Sequence, residues 1–294
     1  MELIPWSFHT HYGFCLRGYH SAPSGKPVLH VLHGNGFCSR MYQPMLQQLA
    51  RDYDLFLSDA QGHGDSDHGG PFVGWNESAE LAAQAWLAHR DRFANVPHIG
   101  LGHSFGGVLT ALNNAAYPDL FSQVVLLDPV LFTPSMLTSM KALTLVRLYQ
   151  RNPYARAALK RRQHWPDKIT AKNYLQQRGL YRNWQPEALA AYIDHALKPT
   201  EHGISLKCQP EREAEIFGSY PRNLWRQLAK PCAPTLVLYG NNSYPFVPKA
   251  LQKWQHLNPA VELEQLPGSH CFMQEAPEMT ATAIHAKLSA IKCV

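Results

Sequence analysis

An α/β fold built on a mostly parallel central sheet, with helices on both faces, follows from three features of the sequence. Short apolar runs alternate with amphipathic helical stretches over residues 1–129 and again over 231–294. Several of these runs, such as Val28-Leu29-His30-Val31-Leu32 and Val124-Val125-Leu126-Leu127, are apolar without alternation, as strands covered on both faces require. Between the two blocks, residues 130–230 show helical spacing, repeated arginine and lysine, and no buried β-type run. That stretch reads as a helical cap inserted between two strands of one core.

The elements follow in chain order. Residues 6–10 and 14–18 alternate around His11-Tyr12-Gly13, a hairpin signal. The loop 21–27, rich in Pro, Ser and Gly, leads to a strand at 28–32 that ends in His33-Gly34-Asn35-Gly36. A helix from Arg40 to about Arg51 places Met41, Met45, Leu46 and Leu49 on one face. The strand at 55–58 runs into the loop Asp59–Ser66, and a helix from about Asn76 to Phe93 turns Leu81, Ala82, Ala85 and Trp86 inward. An apolar run at 96–99, a glycine-rich turn and a helix closing near Tyr117-Pro118 come next, then a strand at 123–127 stopped by Pro129. Beyond the cap, a strand at 234–239, a helix at 248–257, a strand at 261–266, the loop 267–270 and a last helix from about Pro277 to Ile291 complete the pattern.

Composition narrows the class. The 294 residues are 45% hydrophobic and 17% charged, which excludes a disordered chain and is ample for a full core. No apolar run approaches the roughly eighteen residues needed to span a bilayer. The first residues lack the basic start and apolar core of a signal peptide, so a cytoplasmic location is expected. Six scattered cysteines without a C-x-x-C pair predict reduced thiols rather than disulfides or zinc. A net charge of +5 without interleaved aromatic or glycine-rich binding patterns gives no case for a nucleic-acid partner.

The chemistry centres on Gly102-His103-Ser104-Phe105-Gly106. Strand, sharp turn and helix around Gly-x-Ser-x-Gly is the context of a nucleophile elbow. Glycines two before and two after the serine let strand and helix approach closely, while the strained turn lifts the Ser104 hydroxyl above the sheet edge. Acyl transfer from that hydroxyl needs a base, an acid to orient it, and donors for the oxyanion. The strand end at His33-Gly34-Asn35-Gly36 offers the Asn35 N–H, and the helix start offers the Phe105 N–H. Of sixteen histidines, His270 alone sits on a late loop beyond a strand; His256 and His285 fall in helical patterns, and His103 is read as a packing residue. The loop after Gly240, Asn241-Asn242-Ser243-Tyr244-Pro245, contains no carboxylate. The acid is therefore placed at Asp128, at the end of the neighbouring strand. A turn-capping aspartate ahead of Pro129 is the structural alternative for that residue.

Taken together, His33-Gly34-x-Gly36, the Asp59–Ser66 stretch, Gly102-His-Ser-Phe-Gly-Gly107 and Gly268-Ser-His270 resemble the α/β-hydrolase superfamily over the whole chain. The resemblance implies an α/β-hydrolase fold with a cap, serine chemistry and the order nucleophile, acid, histidine. An acid after the sixth strand is similar to one subgroup of haloalkane dehalogenases. Those enzymes and the epoxide hydrolases use an aspartate nucleophile, so Ser104 argues against both activities. The expectation is a cofactor-independent serine hydrolase of small-molecule carboxylic esters. An acyltransferase, perhydrolase or carbon–carbon hydrolase with the same triad, or a binding protein that keeps only the fold, are the alternatives. Asp59, Gly62 and Gly64 are read as loop-building, and His63 and Asp65 as candidates for the pocket wall. Arg147, Arg151, Arg156, Lys160, Arg161 and Arg162 make the early cap basic, either as a funnel for anionic substrate or as a solvated face. Cys271 is read as buried and inert.

Overall fold

The computed structural model describes residues 2–145, 152–176 and 178–290. The chain forms strands β1 (Ile4–His9), β2 (Cys15–His20) and β3 (Val28–Leu32), helix α1 (Gln43–Leu49), strand β4 (Asp54–Asp59), helix α2 (Trp75–Leu87), strand β5 (His98–His103), helix α3 (Phe105–Ala116) and strand β6 (Gln123–Leu127). The segment between β6 and the rest of the sheet ends with α9 (Leu224–Leu228), and after it come β10 (Thr235–Asn242), α10 (Phe246–Leu257), β11 (Val261–Ser269), α11 (Phe272–Glu275) and α12 (Pro277–Ala290). The eight-stranded sheet has the order β1-β2-β4-β3-β5-β6-β10-β11. β2 alone runs against the others, antiparallel to both β1 and β4; every pair from β4 across to β11 is parallel.

The continuous apolar runs behave as double-sided burial requires. All five residues of β3 and all six of β4 are buried. Each face carries its own core. One gathers Met41, Met45, Tyr53, Leu101 and Ile284; the other gathers Trp75, Trp86, Val108, Leu126 and Trp254. The helix expected from 40 to 51 divides into a 3₁₀ turn, Ser39–Tyr42, and α1, because Pro44 sits at the first turn of a new helix. The helix expected to reach Phe93 ends at Leu87, and a second 3₁₀ turn covers Arg90–Arg92.

Residues 130–230 correct one expectation. Helices α4 (Pro134–Leu145), α5 (Pro153–Leu159), α6 (Lys168–Leu175), α7 (Pro186–Ala196) and α8 (Pro210–Phe217) dominate, but three short strands also form there. These are β7 (His164–Trp165), β8 (Leu197–Thr200) and β9 (Gly203–Leu206), arranged as an antiparallel sheet of order β7-β9-β8. They are two to four residues long, too short for an apolar run to mark them; the turn at Gly203, with φ 128°, makes the β8–β9 hairpin. Arg147, Arg151 and Leu148 lie outside the described residues.

Candidate active site

Strand register sets the site before any side chain is considered. His103, the last residue of β5, is paired with Leu127, the last of β6, and Leu127 is paired with Leu238 of β10. The Ser104 N–H donates to the Leu127 carbonyl at 3.0 Å, and the Asp128 N–H donates to the Leu238 carbonyl at 2.8 Å. Ser104 and Asp128 therefore leave adjacent strand ends at the same level of the sheet. Both turn out of the β conformation with positive φ, 53° at Ser104 and 45° at Asp128. A non-glycine residue held there costs on the order of 1–3 kcal/mol. The close fit around Ser104 explains its glycines: a Cβ on Gly106 would lie 2.3 Å from the Leu32 carbonyl oxygen, and one on Gly102 would lie 2.4 Å from that of Gly106.

β11 runs three residues beyond the expected strand and delivers His270 at its end. The Ser104 hydroxyl donates to His270 Nε2 at 2.9 Å, and His270 Nδ1–H donates to Asp128 Oδ2 at 2.5 Å. Asp128 is completely buried. It takes two further donors from the loop that lacks a carboxylate: the Gly240 N–H reaches Oδ1 at 2.9 Å, and the Ser243 hydroxyl bonds Oδ2. Ser243 thus holds the carboxylate.

The turn after β3 supplies a second set of groups. The Gly34 N–H is bound by Tyr42 Oη at 3.1 Å, the Gly36 N–H by His63 Nε2 at 3.0 Å, and the Phe37 N–H by the Gly34 carbonyl at 3.2 Å. The N–H groups of Asn35 and Phe105 have no acceptor among the described residues, and both residues line the cavity that Ser104 and His270 face. Helix α3 begins at Phe105; in its first turn the Gly106 N–H donates to the His33 carbonyl at 3.0 Å and the Val108 N–H to the Ser104 carbonyl at 3.1 Å, so the Phe105 N–H is the donor left for the cavity.

A hydrogen-bonded wire ties this turn to the histidine loop. His103 Nε2–H must donate to the His270 carbonyl at 3.1 Å, since a carbonyl only accepts. Nδ1 is then the acceptor, and takes the Tyr42 hydroxyl at 2.7 Å. Tyr42 in turn accepts the Gly34 N–H, so Gly34, Tyr42, His103 and His270 form one directed chain. Burial, with the neighbouring His270 adding to it, pushes the His103 pKa well below its ordinary value and keeps the ring in the neutral form the wire requires. Its role is therefore more specific than packing.

The cavity holds about 370 Å³. The inserted segment closes it with apolar groups such as Phe132, Met136, Met140 and Ile216, and the core contributes Phe37 and Trp75. One ion pair interrupts that wall. Arg161 Nη1 lies 2.6 Å from Glu213 Oε2, and Nη2 donates to the hydroxyls of Tyr181 and Tyr192. Burial opposes the Arg161 charge, but the two tyrosines and Glu213 outweigh it and hold the pKa above the usual guanidinium value. Glu213 also packs against Gly36, and its backbone carbonyl accepts Asn35 Nδ2–H at 3.0 Å. Helix α8 is thereby fastened to the Asn35 turn.

Other candidates fall elsewhere. Asp59 builds its loop, accepting the Ser39 and Asp65 N–H groups at 2.7 and 3.0 Å. His63 is buried behind Gly36, and Asp65 pairs with Lys207 at 2.6 Å; neither lines the cavity. Burial drives the Cys271 thiol pKa up, which suppresses thiolate chemistry. No group of three or more His, Cys, Asp or Glu placed to hold a metal occurs among the described residues. Tyr42 and the Arg161–Glu213 pair were not legible as site residues, since their partners are 61 and 52 positions away in the chain.

A 2-(acetamidomethylene)succinate hydrolase from Mesorhizobium japonicum is 25% identical over 259 residues, 88% of this chain and 86% of that protein. Monoglyceride lipase from Rattus norvegicus is 32% identical over 129 residues, 41% of this chain and 42% of the lipase. Among solved structures, an E-2-(acetamidomethylene)succinate hydrolase superposes with a TM-score of 0.77 at 23% identity, over 98% of this chain and 100% of that one. A peroxisomal α/β-hydrolase from Saccharomyces cerevisiae gives 0.75 at 19% identity, over 99% and 88%. At these identities the structures speak to fold alone. The sequence profile of the alpha/beta hydrolase family matches residues 28–283, and the chain belongs to that family.

Proposed function

We propose that the protein is a serine hydrolase of small to medium, uncharged carboxylic esters, with residues 130–230 acting as a cap over a core formed by 1–129 and 231–294. The observation that carries this reading is the unbroken proton path from Ser104 through His270 to Asp128, opening on one apolar cavity beside two unengaged N–H donors. Ser104 Oγ attacks the ester carbonyl while His270 Nε2 takes its proton. Asp128 stabilises the imidazolium, and the Asn35 and Phe105 N–H groups receive the oxyanion. His270 returns the proton to the leaving alkoxide. A water then enters, gives a proton to His270 and attacks the acyl carbon, and Ser104 leaves with that proton restored. No cofactor takes part.

Arg161 is the lone lysine or arginine lining the cavity among the described residues, and Glu213 already matches its charge. An uncharged acyl group therefore suits the wall better than a carboxylate, which would find no uncompensated cation. The relative named for 2-(acetamidomethylene)succinate supports a second reading, cleavage of an N-acyl bond by the same groups. A series of p-nitrophenyl esters of rising acyl length, run beside matched p-nitroanilides and ω-carboxylated esters, tests both. The expected result is ester turnover peaking at medium length, with the carboxylated esters slower. Anilide turnover matching the esters would move the assignment to the amide reading, and inertness towards every ester would remove the ester assignment.

A further inference from the structure

The inserted segment carries a charge that the proposed chemistry does not use. Between residues 130 and 186 the sequence has eleven lysines and arginines and one aspartate, a net of +10 against +5 for the whole chain. The remainder of the chain is therefore net acidic, at −5. Only Arg161 and Lys168 of this stretch reach a carboxylate among the described residues. Arg156, Lys160, Arg162, Lys172, Arg178 and Arg182 are exposed and have no acidic partner among the described residues. Such charge repels itself and has to be matched from outside.

The apolar exposure falls on the same stretch. Of ten large hydrophobic residues exposed among the described residues, five are Leu143, Tyr154, Leu159, Ile169 and Leu180, the last two at 73% and 44%. Leu159 is followed by Lys160, Ile169 is preceded by Lys168, and Leu180 lies between Arg178 and Arg182. Tyr154 and Leu180 also line the cavity, so the exposed apolar groups continue into the apolar wall beside Ser104.

We infer that this stretch of the inserted segment docks on an anionic lipid bilayer. Cations near such a surface each add attraction, and aliphatic side chains beside them enter the acyl boundary. A nucleic acid fits less well, because stacking needs open aromatic faces. Trp165 is buried, the Tyr174 ring is covered by Arg178 and Arg162, at 4.1 and 5.1 Å from its centroid, and the exposed Tyr154 ring already stacks on Phe217 with 5.9 Å between centroids. Docking is peripheral: no helix among the described residues is long and apolar enough to cross a membrane.

The test is co-sedimentation of the full chain with phosphatidylcholine vesicles with and without roughly 30% phosphatidylglycerol, at low and high salt. Binding that needs the anionic lipid and falls with salt is expected. Lys160→Glu with Lys172→Glu should weaken it by about tenfold or more, while Arg51→Glu with Lys249→Glu, the same charge change at exposed positions outside the segment, should weaken it less than about twofold. Ile169→Ser should weaken it at both salt levels. Circular dichroism checks that each variant is folded. No binding to the anionic vesicles, equal losses for the two charge-reversal pairs, or displacement from the vesicles by a DNA duplex at equal charge would overturn the inference. Binding is read without turnover, so a negative result leaves the hydrolase reading intact.

Discussion

The C-terminal edge of the sheet and the inserted segment assemble their polar groups in opposite ways. At the sheet edge, position follows from register: β5, β6 and β10 are in step, so Ser104, Asp128 and the Gly240 N–H arrive side by side. Little freedom is left for side chains to find one another. In the inserted segment, Arg161, Tyr181, Tyr192 and Glu213 come from four separate stretches and meet only when those stretches pack. The sheet edge can therefore hold strained residues such as Ser104 at low risk, because backbone pairing on both sides over-determines them. The ion pair has no such scaffold and depends on the fit of the whole segment.

The largest effect that sharpens this contrast is on turnover. Asp128→Asn should lower kcat for a short p-nitrophenyl ester by roughly 10⁴, the size of the corresponding change in a serine protease. Asn242→Ala, in the loop where the acid would ordinarily sit, should leave it nearly unchanged. Equal effects of the two would break the claim that register, rather than that loop, supplies the acid.

Next in size is a stability effect in the inserted segment. Arg161→Met leaves Glu213 without its cation in a largely buried site, which typically costs about 3–5 kcal/mol. Combining it with Glu213→Leu should recover much of that loss, measured by urea denaturation. A single variant as stable as the parent would show that the pair does not fasten the segment.

Smaller per group, but summed over the core, is the response to acid. Burial holds the pKa of His30 at about 3 and those of His33, His63 and His103 below the ordinary 6.5. Unfolding below pH 6.5 lets each take up a proton that the folded state refuses, so stability is full above that value and falls as pH drops towards the folded pKa. The slope is about 1.4 kcal/mol per pH unit for each ring. All four lie in the core and none in residues 130–230. Urea midpoints at pH 7.5 and 5.5 should therefore fall steeply, and His30→Gln should flatten the dependence by one proton. A pH-independent midpoint would contradict the neutral wire through His103.

The same contrast decides what could be read from sequence. Continuous apolar runs fixed β3, β4 and β6, and glycine spacing fixed the turn at Ser104, because both are local consequences of burial and backbone geometry. Asp128 was legible by elimination, since the loop after Gly240 has no carboxylate. Ser243 was visible as a polar loop residue but not as a donor to Asp128, which depends on a contact 115 positions away. The β7-β9-β8 sheet was missed because strands of two to four residues are too short to leave a periodic trace. Arg161 stood in a basic run indistinguishable from Lys160 and Arg162 beside it. Only packing shows that one of the three turns inward.

The central claim is that residue 104 is a serine made nucleophilic by the ring of His270. Labelling the folded protein with a fluorophosphonate, followed by peptide mapping, addresses it most directly. The account predicts one adduct, on Ser104, forming far more slowly in His270→Ala. No adduct, or an adduct on another serine at an unchanged rate in that variant, would contradict it.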